Sequence, residues 1–172
     1  CGNGGSAADA LHIVGELMKS FTLPRPIDAE AARLLSERFG QEGERLAASL
    51  EGALPAVALV ENAALSTALQ NDVSGGISFA QQVYGLGRPG DVLLCISTSG
   101  NAANAVAAAM VAHARGMRVA LLSGGTGGKL RPLCDVSVVV GVSETFMVQE
   151  LHLPVYHALC LMLEYAFFPP AQ

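Results

Sequence analysis

The sequence has no tryptophan, and aromatic residues make up only 5% of its 172 positions. An all-β fold draws on aromatic and β-branched residues, so this scarcity, set against abundant alanine and glycine, favours closely packed helices on a sheet. Charge is also sparse: 15% of residues are charged, the net charge is −5, and no basic run occurs anywhere. The cationic footprint of a direct nucleic-acid ligand is therefore missing. The four cysteines, Cys1, Cys95, Cys134 and Cys160, form no CxxC pair and no short Cys/His spacing. A zinc ribbon or a disulfide framework is thus not expected, and a reducing cytoplasm is the expected compartment. Mean hydropathy is high at +0.42, yet Asp, Glu or Gly interrupts each apolar run, and no membrane segment or membrane partner is expected. The sequence opens without an initiator methionine, and no signal peptide is expected. The loop at Cys1 lacks a strand to feed it, so an N-terminal segment is expected to be missing.

The opening residues, Cys1-Gly2-Asn3-Gly4-Gly5-Ser6, form a loop that leads into an expected helix over residues 7–21. Three glycines and an asparagine let the backbone turn tightly and expose its N–H groups, with Ser6 as the expected N-cap and Asp9 three residues on. The positive end of the helix dipole and the unpaired first-turn amides favour a phosphate or carboxylate there. The same helix carries His12 and Glu16, four residues apart and on one face. Gly2-Asn3-Gly4-Gly5-Ser6-Ala7 also fits the loose dinucleotide pattern. The strand that should place its acidic partner lies far beyond the usual interval, so a nucleotide cofactor is not expected.

Beyond the proline-stiffened stretch Pro24-Arg25-Pro26, residues 27–50 read as one or two amphipathic helices broken near Gly40 and Gly43. Residues 54–60 read as a short buried strand, 62–69 as a short helix or turn, 71–76 as a polar loop and 77–86 as a helix. The clearest strand is 91–96, followed by the loop 97–101, an alanine-rich helix to about Arg115, and a further strand over 117–122. A last β-branched strand is expected over 135–142, and a last helix over 144–167. Strands alternating with helices argue for a parallel α/β sheet, whose ligands bind at the carboxyl ends of the strands. Three polar loops fall at those ends, at residues 2–6, 97–101 and 123–129.

Ser97-Thr98-Ser99 offers three hydroxyls where a helix cap needs one, which favours a phosphate over simple capping. The loop from Gly124 to Lys129 resembles a P-loop but lacks its glycine at Ser123 and its Ser or Thr at Leu130, so an ATP-binding P-loop is excluded. In the last helix, Gln149, Glu150, His152 and His157 interrupt an apolar surface. From spacing alone, His12 with Glu16 could equally be a solvated helix face, and His152 reads as a core histidine.

Taken together and in order, these motifs resemble the phosphoheptose isomerase branch of the SIS (sugar isomerase) domain family. They are Cys-Gly-Asn-Gly-Gly-Ser, His12 with Glu16, Asn71-Asp72, Gly90-Asp-Val-Leu-Leu, Ile96-Ser-Thr-Ser-Gly-Asn101, Gly127-Gly-Lys, Cys134-Asp135, and Gln149-Glu150 through His157. The resemblance covers the chain as a single SIS domain, apart from a helical insertion at residues 27–52. It implies a three-layer αβα sandwich around a five-stranded parallel sheet, with the first strand upstream of Cys1. It also implies a homotetramer with interfacial active sites and interconversion of sedoheptulose 7-phosphate with an aldoheptose 7-phosphate. By the same resemblance, Ser6, Ser97, Thr98 and Ser99 would bind phosphate, and Asn3, Gly4, Gly5, Asn71 and Asp72 would line the sugar site. His12, Glu16, Gln149 and His157 would match the residues of a zinc site, Gln149 also touching substrate, with Glu16 and His157 as the acid/base pair.

Those residue types suit the chemistry, because moving a carbonyl between C2 and C1 needs a base, a stabilised enediolate and an acid. Gln149 and His157 are eight residues apart, about 12 Å of helical rise. Either Gln149 lies outside the regular helix, helped by a break at Pro154, or neighbouring subunits supply the two ligands. Some positions depart from the family pattern: Ala102 replaces the last serine of the phosphate loop, Lys19-Ser20 replaces an arginine, and Phe146 and Met147 replace a polar and basic pair. The alternatives are a non-catalytic phosphosugar-sensing module, a protein that associates with a replication initiator, or an isomerase of another sugar phosphate. Retention of all four proposed metal-site residues favours an enzyme.

Overall fold

The computed structural model describes residues 1–73 and 76–170. Ser74 and Gly75, read above as part of a polar loop, lie outside the described residues. In chain order the elements are α1 (Gly5–Met18), α2 (Ala29–Ser49), α3 (Ala63–Asp72), α4 (Ser78–Leu86), β1 (Val92–Ser97), α5 (Ala103–Ala114), β2 (Arg118–Gly124), β3 (Val136–Val140) and α6 (Thr145–Phe167). A 3-10 turn, Arg131–Leu133, precedes β3.

The strands form a parallel sheet in the order β1-β2-β3. Val92 lies opposite Arg118 and Ser97 opposite Ser123, so β1 and β2 end at the same level. On the other side of β1, Gly2 bridges Ile96 in parallel, and the Ile96 N–H donates to the Cys1 carbonyl at 2.8 Å. The first residues thus run along β1 before turning into α1.

Residues 54–60, expected as a strand, make no ladder. Pro55 has no N–H to give a sheet, and Val57 is 66% exposed. The Leu54 N–H donates instead to the Leu17 carbonyl, and only Ala58 and Leu59 are buried. An apolar run alone cannot separate a strand from an extended connector that dips its end into the core. Among the described residues the sheet therefore has three strands rather than the four expected.

The chain divides into two compact units. The first comprises Cys1–His12 and Ala58–Val155. In it, α5 lies on β1 and β2 through Ala105, Ala108, Ala109 and Ala112, all fully buried. Their spacing keeps methyl groups on one face, so the helix backbone approaches Cys95, Val119 and Leu121 closely. Replacing any of these alanines with a larger residue would overpack this layer.

The second unit comprises Ile13–Val57 and the chain from Tyr156 onward. Its helix α2 is kinked at Gly40, which has φ 56° and ψ −135°, as the glycine break foretold. The ion pairs of Arg33 with Glu30 and Glu37 and of Arg45 with Glu42 are exposed and add little stability. The pair at the centre of this unit is different: Arg25 Nε meets Glu164 Oε1 at 2.7 Å, with both side chains fully buried. Burial pushes the Glu164 carboxyl pKa up, but the N–H groups of Phe21 and Thr22, the Thr22 hydroxyl and Arg25 outweigh it and hold the group at about 2.

By length and composition α6 could cross a membrane, contrary to the expectation that no segment would. The core helix of a soluble protein passes the same test, and α6 carries Gln149, Glu150, His152, His157 and the ion-paired Glu164.

A carboxyl whose folded pKa is depressed stabilises above its ordinary value and loses that contribution as pH falls toward the folded value. The melting-temperature advantage of the wild-type chain over Glu164→Gln is therefore expected to shrink between pH 4.5 and about 2. An advantage that stays constant across that window would show the carboxylate is not what Arg25 and the Phe21 turn hold.

Candidate active site

A cleft of about 500 Å³ opens in the first unit where β1 ends. Its walls are Asn3 to Ser6 from the first loop, Ser97, Thr98, Ser99, Asn101 and Ala102 beyond β1, and Thr145 and Gln149 from α6. Eight of the ten residues expected to touch substrate thus surround one space. Asn71 and Asp72 are not among them: they end α3 instead of lying in a loop, both exposed, with the Asn71 amide donating to the Asp72 carboxylate at 2.8 Å.

The first loop differs from expectation in detail. The helix begins at Gly5, with the Ser6 N–H donating to the Asn3 carbonyl and the Ala7 N–H to that of Gly4, so Ser6 sits in the first turn instead of capping it. Gly4, with φ 56°, supplies the left-handed turn that aims the helix start at the cleft. Asn3 pairs with Asn104 through two reciprocal amide hydrogen bonds of 2.9 Å, tying this loop to the start of α5. Asn104 was not expected, since a lone Asn in an alanine-rich helix carries no signal of its own. A Cβ at Gly5 would strike the Gln149 amide, which places Gln149 against the first turn of α1.

At the second loop the capping explanation fails. The N-cap of α5 is Ala102, with no side-chain cap bond, while Ser99 Oγ accepts from the Asn101 N–H at 3.2 Å. The hydroxyls of Ser97, Thr98 and Ser99 do not cap the helix, and all three residues line the cleft. The glycine-rich loop after β2 supports this wall of the cleft from behind. Gly124 N–H donates to the Thr98 carbonyl, Leu130 N–H to that of Gly100, and Lys129 N–H to the Asn101 side chain. A Cβ at Gly100 (φ 68°) would collide with the Gly127 carbonyl, and one at Gly128 (φ 53°) with the Ser99 carbonyl. The two backbones touch, so what looked like a failed P-loop is a buttress. The Ser123 hydroxyl completes it by donating to the Ser97 carbonyl at 2.6 Å.

His152 is fully buried, and neither ring nitrogen has a hydrogen-bond partner at good geometry. Burial pulls its pKa down, partly opposed by the Ser123 backbone and the Asp9 carboxylate. The buried thiols of Cys95 and Cys160 and the half-buried one of Cys134 are each pushed up to about 11, so none is a nucleophile near neutral pH.

His12 is exposed, and Glu16 and His157 are half-buried. His12 and Gln149 belong to the first unit, Glu16 and His157 to the second. Gln149 lies inside α6, which removes the alternative that placed it outside the regular helix. No group of three or more His, Cys, Asp or Glu side chains is gathered closely enough to hold a metal among the described residues. By donor chemistry, two imidazoles and a carboxylate suit zinc, whereas the amide of Gln149 is an unusual ligand.

A model of the SIS domain matches residues 32–124. The chain is 35% identical to the phosphoheptose isomerase of Maridesulfovibrio salexigens over 98% of its own length and 69% of that protein's. It is 40% identical to that of Thiobacillus denitrificans, over 93% of the chain and 70% of the relative. Among solved structures, the phosphoheptose isomerase of Neisseria gonorrhoeae superposes with a TM-score of 0.73 at 36% identity, covering 95% of this chain and 73% of that one. The chain belongs to the phosphoheptose isomerase family. Within this SIS-domain family, its cleft lies where α/β sheets bind ligands, at the carboxyl end of a strand.

Phosphate binding expected at this cleft would depend on its hydroxyls and not on Lys129, which is absent from its wall. Ser99→Ala is expected to weaken inorganic phosphate binding roughly tenfold, the worth of one hydrogen bond to a charged group. Lys129→Ala, which leaves the buttress backbone intact, should leave phosphate binding within about twofold. Calorimetric titration of both variants checks this, and the reverse ranking would refute it.

Proposed function

We propose that this chain is a phosphosugar aldose–ketose isomerase that interconverts sedoheptulose 7-phosphate and D-glycero-D-manno-heptose 7-phosphate through an enediolate. The observation that carries this is family membership at 35% to 40% identity over nearly the whole chain, supported by a cleft that gathers Ser6, Ser97, Thr98 and Ser99.

Ser6, Ser97, Thr98 and Ser99 hold the phosphate with hydroxyls and backbone amides, fixing the far end of the sugar. Asn3, Gly4, Gly5, Asn71, Asp72 and Gln149 orient the hydroxylated carbons. Glu16 takes the proton from C1 of the ketose, the C1–C2 double bond forms as the C2 carbonyl oxygen gains charge, and the same carboxyl returns the proton to C2. His157 moves the proton between the two oxygens, so that O1 loses its hydrogen as the aldehyde forms and O2 gains one. Holding the sugar at its phosphate lets these transfers proceed within a fixed geometry.

His12, Glu16, Gln149 and His157 would hold a zinc ion. The chemistry that bound zinc supplies is Lewis acidity toward the oxygen that becomes anionic. Gln149 and His157 lie about 12 Å apart along the helix axis, so we assign the two to sites shared between neighbouring subunits. This goes with a cytoplasmic homotetramer whose complete sheet has five strands in a three-layer sandwich.

Turnover of sedoheptulose 7-phosphate is measured on the metal-stripped and then the zinc-restored protein, with Glu16→Gln as control. Zinc-dependent turnover that falls at least about 100-fold in Glu16→Gln is expected. Absence of turnover while phosphosugars still raise the melting temperature would instead assign another sugar phosphate or a binding role.

A further inference from the structure

The buried Arg25–Glu164 pair has no part in the proton transfers, yet its hydrogen bonds run to the chain around both groups that do. Arg25 donates from one terminal nitrogen to the Glu16 carbonyl at 3.1 Å and from the other to the Leu17 carbonyl at 3.0 Å. These are among the last carbonyls of α1, which have no acceptor role left inside the helix and carry its negative dipole end. Its Nε donates to Glu164, and its guanidinium lies 4.8 Å from the centre of the Phe168 ring.

Glu164 gathers the turn that follows α1. It accepts from the N–H groups of Phe21 and Thr22 at 2.8 Å, from the Leu23 N–H at 3.1 Å and from the Thr22 hydroxyl at 2.7 Å. The ring of Phe21, thus fixed at its main chain, lies 5.7 Å from the ring of His157, which Tyr156 meets edge-on from another side at 5.0 Å. His157 is seven residues before Glu164, two turns along the same face of α6.

We infer that Arg25 and Glu164 are positioning residues for the isomerisation, fixing the backbone that carries Glu16 and, through Phe21, the ring of His157. A buried ion pair is a poor source of net stability, because an apolar pair of similar volume often does as well. What an apolar pair cannot do is direct hydrogen bonds into two separate stretches of main chain. The inference rests on the acid/base roles proposed for Glu16 and His157. The phosphate cleft draws its lining from the other unit, so substrate affinity is expected to be spared.

The test measures kcat and KM separately for sedoheptulose 7-phosphate in Arg25→Lys, Thr22→Val and the double variant Arg25→Met/Glu164→Leu, with melting curves on each. Arg25→Lys keeps the charge but loses the forked geometry, and the apolar double variant removes the pair without leaving a buried charge. Expected are folded proteins with kcat lowered on the order of 100-fold in the first and third, the cost of about 1 Å of misplacement, and KM within about twofold. Thr22→Val deletes only one hydroxyl and should lower kcat a few-fold without changing KM, which keeps the test decisive should the other two fail to fold. Folded variants with wild-type kcat, or with kcat and KM changing together, would overturn the inference. Glu16→Gln runs alongside and separates the two failures: full turnover there would refute the acid/base assignment on which the inference rests, whereas turnover lost there but kept in folded Arg25 variants would refute the positioning alone.

Discussion

The site depends on one register. Ser97 pairs with Ser123 across β1 and β2, so two parallel strands release their chains at the same height and side by side. The loop after β2 then has nowhere to go but against the loop after β1, and Gly100 and Gly128 are the positions where the two backbones touch. The hydrogen bonds from Gly124, Lys129 and Leu130 follow from that contact. A parallel pair thus braces this wall of the cleft main chain against main chain.

The same register explains how far the sequence could be read. β1 and β2 were legible as short apolar runs introduced by Gly90 and Gly116 and followed by polar loops, and their convergence at one edge follows from parallel topology. Residues 54–60 share the apolar character but not the hydrogen bonding, and the only warning in the sequence was Pro55. Asn71 and Asp72 looked like a loop because they are polar, yet they close α3. The start of α1 was placed two residues late, since Gly4 and not Ser6 makes the turn.

The candidate site was legible where its residues cluster in sequence, as in 3–6 and 97–99, and illegible where partners are distant. Arg25 stands between two prolines and reads as part of a connector; its partner Glu164 is 139 positions away, in the apolar last turns of α6. Nothing local marks either one. The Asn3–Asn104 pair spans 101 positions and is hidden for the same reason. Long-range polar pairs leave no periodicity, and only the folded chain brings them together.

Among the described residues, the cleft is lined mainly by residues with hydroxyl and amide side chains and by glycines, with no lysine or arginine in its wall. On the proposed function, a phosphate held this way would be recognised by the directions of its lone pairs more than by its charge. Its retention would be correspondingly insensitive to ionic strength. The net negative charge of the chain would give a sugar phosphate no long-range attraction, so encounter would proceed without electrostatic steering, toward the slower end of the ordinary range. Such a neutral cradle would trade speed of capture for selectivity of fit.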